Sequence, residues 1–261
     1  MNKTYNPPKF SKVIELLLPL ELPWGGQTYT IDEWRRKTKR EVQENRRHDK
    51  IKIFNRFVSA LLEGFRARGE EYDPRIALMN KYIHDFSAVT TGRIQQILAE
   101  NHYPLPKRGL EVILSGRKIT EPSAFQWEQY FCEAENKYES GYMDDVFLKI
   151  KGVGKKVRDF ALSEFSLFYC AIDRHLADVI RRTGLLLYGY GQPDFGTSPT
   201  KNYEFLQRLL IQFSKQSEYS PKEIDTMLWF FSNKNGICKG RPECSRCPIK
   251  NICLTFRNRM E

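Results

Sequence analysis

The chain has 261 residues, 41% of them hydrophobic and 13% aromatic, enough to bury a large core and too many for a globally disordered chain. With 42 Lys and Arg against 32 Asp and Glu, its net charge of +10 favours a polyanionic partner. No apolar stretch is long enough to span a membrane, and the run Val13 to Leu22 is broken by Glu15, Pro19 and Glu21, with no small-residue cleavage site after it.

Amphipathic periodicity over 33–68 predicts one or two helices, with Trp34, Val42, Phe54, Phe57, Val58 and Leu61 among the apolar positions. Arg35, Arg36, Lys37, Lys39, Arg40, Arg46 and Arg47 read as a solvated helix face in preference to a DNA-contacting one. A turn is expected from Gly69 to Pro74, then short helices over 75–85 and 90–100. Pro104 and Pro106 precede a helix over 107–117, and Glu121-Pro122 opens another over 123–138. Helices over 143–150 and 155–168 flank Lys151-Gly152-Val153-Gly154, and a helix follows Asp173 as far as Thr183. Tyr188 to Asn202 reads as a long loop, followed by helices over 203–215 and 221–231. Strand-like alternation is scarce, so the fold class is all-α, with helices paired across short turns.

Cys238, Cys244, Cys247 and Cys253 follow C-x5-C-x2-C-x5-C among the loop residues Gly240, Pro242 and Pro248. Four thiolates so bunched suit a metal centre. Zinc knuckles generally use two CxxC-like pairs, and a single CxxC flanked by isolated cysteines fits a [4Fe–4S] cubane better, with zinc as the alternative. Lys234, Lys239, Arg241, Arg246, Lys250, Arg257 and Arg259 make this tail a plausible phosphate-contacting surface. Cys132 and Cys170 lie in apolar helical contexts and are expected to be buried, inert thiols. Six cysteines without a leader segment point to the cytoplasm, in association with the nucleoid if the source is prokaryotic.

Ile150-Lys151-Gly152-Val153-Gly154-Lys155-Lys156 reads as a hairpin between helices. Two glycines around one apolar residue permit the sharp turn, Val153 plugs it into a core, and the N–H groups opening the next helix form an anion site. Such a unit, with Lys151 and Lys155, grips a DNA phosphate without reading sequence. Lys156 lies near the positive end of the helix dipole and beside other lysines, which disfavours a charged ammonium and suits a Schiff-base nucleophile. Asp173, taken alone, is a helix N-cap.

Together these segments resemble the helix–hairpin–helix DNA glycosylase superfamily, and within it the endonuclease III family. The resemblance covers 140–183 and 225–255, and more loosely 93–119. Lys156 matches the family's catalytic lysine, Ile172-Asp173-Arg174-His175 its catalytic aspartate segment, and the cysteine tail its [4Fe–4S] loop with one residue fewer between the first two cysteines. The chain departs from the family at Lys151, where proline is usual, and near Val157 and Arg158, where small residues are usual. The glutamine-bearing segment that fills the hole left by the extruded base is not recognisable around 57–68.

The resemblance implies a six-helix barrel with the hairpin over 55–172 and an iron–sulfur helical domain from 1–54 and 173–261. It further implies a monomeric DNA glycosylase that flips a damaged or modified base out of double-stranded DNA and cleaves the abasic site through a lysine Schiff base. Lys156 and Asp173 would be catalytic, and Lys151, Gly152, Val153, Gly154, Lys155 and His175 would hold DNA. An oxidised pyrimidine is the expected substrate. The alternatives are an 8-oxoguanine or other modified-base enzyme, a monofunctional mismatch glycosylase, or a DNA-binding module without catalysis.

Overall fold

The computed structural model describes residues 9–62, 72–101, 107–170, 172–185 and 199–260. In chain order these form α1 (Phe10–Leu17), β1 (Glu21–Trp24), β2 (Gln27–Thr30), α2 (Ile31–Asn45), α3 (Lys50–Leu62), α4 (Tyr72–Tyr82), α5 (Thr91–Glu100) and α6 (Lys107–Thr120). There follow α7 (Trp127–Asn136), α8 (Lys155–Ser163), α9 (Arg174–Thr183), α10 (Pro199–Lys215), α11 (Pro221–Ser232) and α12 (Leu254–Met260). The structure is thus mostly helical, as expected, and among the described residues no helix is long and apolar enough to cross a membrane.

The pattern of contacts divides the chain into two units, Met1–Arg40 with Ile172–Glu261, and Glu41–Ala171. In the first unit α1 carries Phe10, Val13, Ile14 and Leu17 at helical spacing, all buried, and Phe10 stacks on Phe213 of α10 with ring centroids 4.3 Å apart. The run read as merely apolar therefore yields a helix and then a hairpin. In that hairpin β1 pairs antiparallel with β2, from Glu21↔Thr30 to Trp24↔Gln27. Its two-residue loop, Gly25-Gly26, has positive φ at both positions (58° and 80°), which glycine adopts without strain.

The helix α9 buries Leu176, Val179, Ile180 and Thr183, and packs against α11 and α12. It stops at Gly184, whose φ of 83° is the left-handed C-cap conformation. At the start of α11, Ser220 and Glu223 form a reciprocal capping box with Pro221 in the first turn. Glu223 also accepts from Arg35, at 2.5 Å, in an ion pair that is almost wholly removed from water.

The second unit is built around α3, which packs on α4, α6 and α8. Close approach to α6 depends on Gly116, where a Cβ would stand 2.9 Å from Val58 Cγ1. Phe57 is the hub of an aromatic cluster, 4.5 Å from Phe147 and 5.1 Å from Trp127 between ring centroids. Truncating so buried a ring costs about 3–5 kcal/mol. At the end of α2, Arg46 is not solvated as the charge pattern suggested. It donates to both carboxylate oxygens of Glu128 (2.8 and 2.7 Å) and to Glu135 (2.7 Å), and Arg35 departs from that expectation in the same way.

Other boundaries moved for local reasons. Residues 69–71 of the expected turn lie outside the described residues, as do 63–68, 102–106 and most of the expected loop, 188–198; Tyr72–Pro74 already belong to α4. The helix expected over 143–150 is a single 3-10 turn, Val146–Lys149. Gly141 and Tyr142 both take positive φ (86° and 44°) and turn the chain, after which Asp145 caps the short turn by accepting from the Phe147 N–H.

Candidate active-site hairpin and cysteine recess

Chain reversal between the 3-10 turn and α8 is made by Ile150 to Gly154. The Val153 N–H donates to the Ile150 carbonyl at 3.0 Å, Gly152 takes a φ of 91°, and Val153 is buried. Gly154 is the N-cap of α8 in extended conformation and supplies no side-chain cap. Lys151, Gly152, Gly154 and Lys156 are exposed, and Lys155 is half-buried. The Lys155 side chain folds back over the preceding turn, so that a Cβ at Gly141 would stand 3.2 Å from its Nζ.

Beneath this hairpin lies a buried polar network that the sequence reading registered only as an unusual residue, Arg158. Its guanidinium donates to the carbonyls of Gly141 (3.0 Å) and Tyr142 (2.7 Å) and to the carboxylates of Asp145 (3.0 Å) and Asp159 (2.7 Å). Burial opposes the charge, but the two aspartates outweigh it and hold the guanidinium firmly protonated. Tyr130 donates to the same Asp145 oxygen, Oδ2, at 2.9 Å, and the Tyr169 hydroxyl donates to the Ala134 carbonyl at 2.7 Å. One arginine therefore fastens the 141–145 turn to the helix that presents Lys155 and Lys156. An arginine one turn after a double lysine, with aspartates just upstream and beside it, was the available signal.

Asp173 belongs to the first unit, where it is half-buried and caps α9, accepting from the Leu176 N–H at 2.9 Å. Lys156 belongs to the second. Two residues after Asp173, His175 lines an open groove with Asp178, Arg182, Cys238, Lys239 and Gly240. The structure thus brings one of the proposed DNA-holding residues beside the start of the cysteine loop.

Cys238, Cys244, Cys247 and Cys253 all line one recess, whose wall includes Phe231, Ile237, Ile249 and Phe256. Among the described residues no three His, Cys, Asp or Glu side chains stand close enough together to hold a single metal ion. Burial raises the Cys238 thiol and pushes Cys247 up to about 12. Arg182, on the last turn of α9, ties the loop down. It donates to the carbonyls of Cys238 (2.9 Å) and Lys239 (2.8 Å), and its own carbonyl accepts from the Cys253 thiol at 3.3 Å. Sequence reasoning did not single out Arg182. Of the other two cysteines, Cys170 is buried as expected but Cys132 is exposed, because it faces outward on α7, where its sulfur contacts Glu128 and Arg46.

No family model matches the chain, and no curated protein matches it. Among solved structures it is similar to the 8-oxoguanine DNA glycosylase of Thermotoga maritima, with a TM-score of 0.53 and 18% identity over 78% of this chain and 88% of that one. The chain has the fold of that glycosylase. It is also similar to endonuclease III in a non-covalent complex with DNA, with a TM-score of 0.47 and 18% identity over 89% of this chain and 99% of the other.

Proposed function

We propose that the chain is a DNA glycosylase that also cleaves the strand at the abasic site it makes, with Lys156 as nucleophile and Asp173 as its acidic partner. The observation that carries this reading is the placement of Lys156, exposed on the first turn of a helix that opens at a glycine hairpin, in a chain with a glycosylase fold. A helix start without a side-chain cap takes an anion readily, so the hairpin, with Lys151 and Lys155, holds a DNA phosphate next to that amine. A base inside the duplex is out of reach and must first be extruded, most cheaply where it is damaged.

Lys156 Nζ attacks C1′ of the deoxyribose and the bond from C1′ to the base breaks, the base leaving with its bonding pair and a proton. The C1′–O4′ bond of the sugar ring then breaks as the nitrogen lone pair forms the C1′=N bond, O4′ taking the proton that the nitrogen loses, and the resulting imine acidifies the C2′ proton. Its removal expels the 3′ phosphate by β-elimination. Asp173 takes the proton that keeps the amine neutral and stabilises positive charge growing on the sugar. The substrate is an oxidised base, with an oxidised pyrimidine as the first expectation and 8-oxoguanine, the base named for the Thermotoga protein, as the second.

Cys238, Cys244, Cys247 and Cys253 hold a [4Fe–4S] cluster in this reading. Four thiols spread around a recess with apolar walls support a cluster whose thiolates bind separate irons over one zinc ion. When bound, the cluster ties the basic tail into one rigid surface.

Duplexes carrying an oxidised pyrimidine, 8-oxoguanine or a mismatch, incubated with the protein and analysed with and without hot alkali, test the reading. Strand breaks without alkali are expected. Breaks that appear only after alkali would make the enzyme monofunctional, and none under either condition would leave a DNA-holding protein.

A further inference from the structure

Three of the chain's four tryptophans meet in the first unit, around the hairpin of β1 and β2, which has no part in the chemistry above. Strand pairing sets Leu22 opposite Tyr29 and Trp24 opposite Gln27, so these side chains share one face of the hairpin. Leu22 is buried, and the rings of Trp24 and Tyr29 both close on Trp34 of α2, each with centroids 5.4 Å apart. Trp229 of α11 meets Trp24 edge-on at 5.3 Å, and Trp34 stacks on the buried Phe230 at 4.8 Å. Phe230 is thus the floor of the cluster, while Trp24, Tyr29, Trp34 and Trp229 stay half-buried. The Lys37 ammonium lies over two of these rings, 4.7 Å from the Trp34 centroid and 5.3 Å from that of Tyr29. Arg40, one turn on from Lys37, is exposed on the same side of α2. Glu33, the acid on that side, is engaged by Thr30, whose N–H and hydroxyl donate to it at 2.7 and 3.0 Å.

We propose that this cluster is a stacking platform for the unpaired bases of single-stranded DNA. Every base offers a π-face to such rings whatever the sequence, and cations beside the rings follow the backbone. The ring quadrupoles hold the Lys37 ammonium where it lies. A base arriving on those faces displaces it toward the phosphate that the base brings with it, so the stack and the ion pair form together. Charge and shape favour this occupant over two others that a tryptophan patch suggests. Two copies of the chain meeting here would set Lys37 and Arg40 of one against the same cations of the other. A lipid surface is entered by projecting apolar side chains, and the tip of the hairpin is Gly25-Gly26, which has none. The platform needs neither a damaged base nor a nucleophile, so it stands apart from the role proposed for Lys156. The chain would hold opened DNA as well as duplex.

Tryptophan fluorescence of the full chain, titrated with a short oligothymidylate free of lesions, tests the proposal. Binding should quench the emission, because bases stack on indoles that make up most of the chain's tryptophan, whereas Trp127 is buried in the second unit. Lys37→Gln should weaken binding and lower the slope of log affinity against log salt by about 0.7, the share of one phosphate on a single strand. Trp24→Leu, which keeps apolar bulk without the π-face, should weaken it about tenfold or more, and Trp24→Phe should recover most of that loss. Binding without quenching would overturn the proposal, as would an unchanged salt slope in Lys37→Gln even if Trp24→Leu failed to fold. Quenching by phosphatidylglycerol vesicles with none by the oligonucleotide would also overturn it, and so would weakening by Lys151→Ala alone, which would assign single strands to the glycine hairpin. Quenching that follows these expectations in a protein that breaks no strand would uphold the platform and sink the lysine reading instead.

Discussion

Arg158 donates a hydrogen bond to Asp145 at 3.0 Å with both side chains wholly removed from solvent. The same guanidinium bonds two carbonyls of a turn in which Tyr142, a residue with a Cβ, holds a φ of 44°. A non-glycine residue in that region stores roughly 1–3 kcal/mol of strain and persists only where its surroundings fix it. The arginine supplies that fixation and anchors it to α8. The precision with which Lys156 is presented therefore depends on a residue that never meets DNA in the proposed chemistry.

Replacing Arg158 by Met should cost about 3–5 kcal/mol, because Asp145 and Asp159 lose the buried cation that neutralises them. Urea denaturation measures it. A loss below about 1 kcal/mol would mean that the aspartates find other donors.

Asp225, buried on α11, gives a stability prediction of opposite sense. Its pKa in the fold, about 7, lies above that of an exposed aspartate, so the folded state holds a proton that the unfolded state has already released between about pH 4 and 7. Stability from this group is present at acid pH and lost as pH rises through 7. Asp225→Asn should therefore stabilise the protein at pH 8, by at most about 4 kcal/mol, and change it little at pH 4. Thermal unfolding at both pH values checks this, and an equal effect at the two would refute the raised pKa.

How far the sequence alone led depends on whether each signal was local. The hairpin was legible because Gly152 and Gly154 bracket one apolar residue, and the turn, the burial of Val153 and the helix start follow from that spacing. The cysteine recess was legible from spacing as well, but Arg182, which lies 56 residues before Cys238 and ties it down, was not. Gly25-Gly26 is a strong turn signal that was overlooked because the strands beside it are only four residues long. Asp225 stood in view as an acid within an apolar stretch, but its burial depends on the packing of α11 against α9 and α10, which its sequence neighbours do not fix. Cys132 shows the reverse error, since apolar neighbours in sequence did not place it on the buried face of its helix.

Glu223 has the opposite titration behaviour to Asp225. Burial works against its charge, but the Ser220 backbone and hydroxyl donors, then Arg35 and Lys39, outweigh it and hold the carboxyl group below the usual glutamate range. A depressed pKa stabilises above the unfolded value and is lost as pH falls through the folded one. Glu223→Gln should be less stable than the wild type at pH 7, by about 1–3 kcal/mol, with the gap closing below pH 4. A gap that persisted at acid pH would show that shape, not charge, is what the site needs.

Removal of one thiol, as in Cys247→Ala, should yield colourless protein whose residues from about Cys238 onward are cut early in limited proteolysis, since ligation and local folding are coupled. The second unit, Glu41–Ala171, should resist protease as in the wild type. A pale wild-type protein containing zinc in place of iron would overturn the cluster assignment.

The most direct test of the central claim is borohydride trapping on a duplex with an abasic site. Wild-type protein should form a covalent adduct that resists denaturing electrophoresis, with the modified peptide carrying Lys156, and Lys156→Ala should form none. Trapping of equal yield by Lys156→Ala, or an adduct mapped to another lysine such as Lys155, would contradict the account.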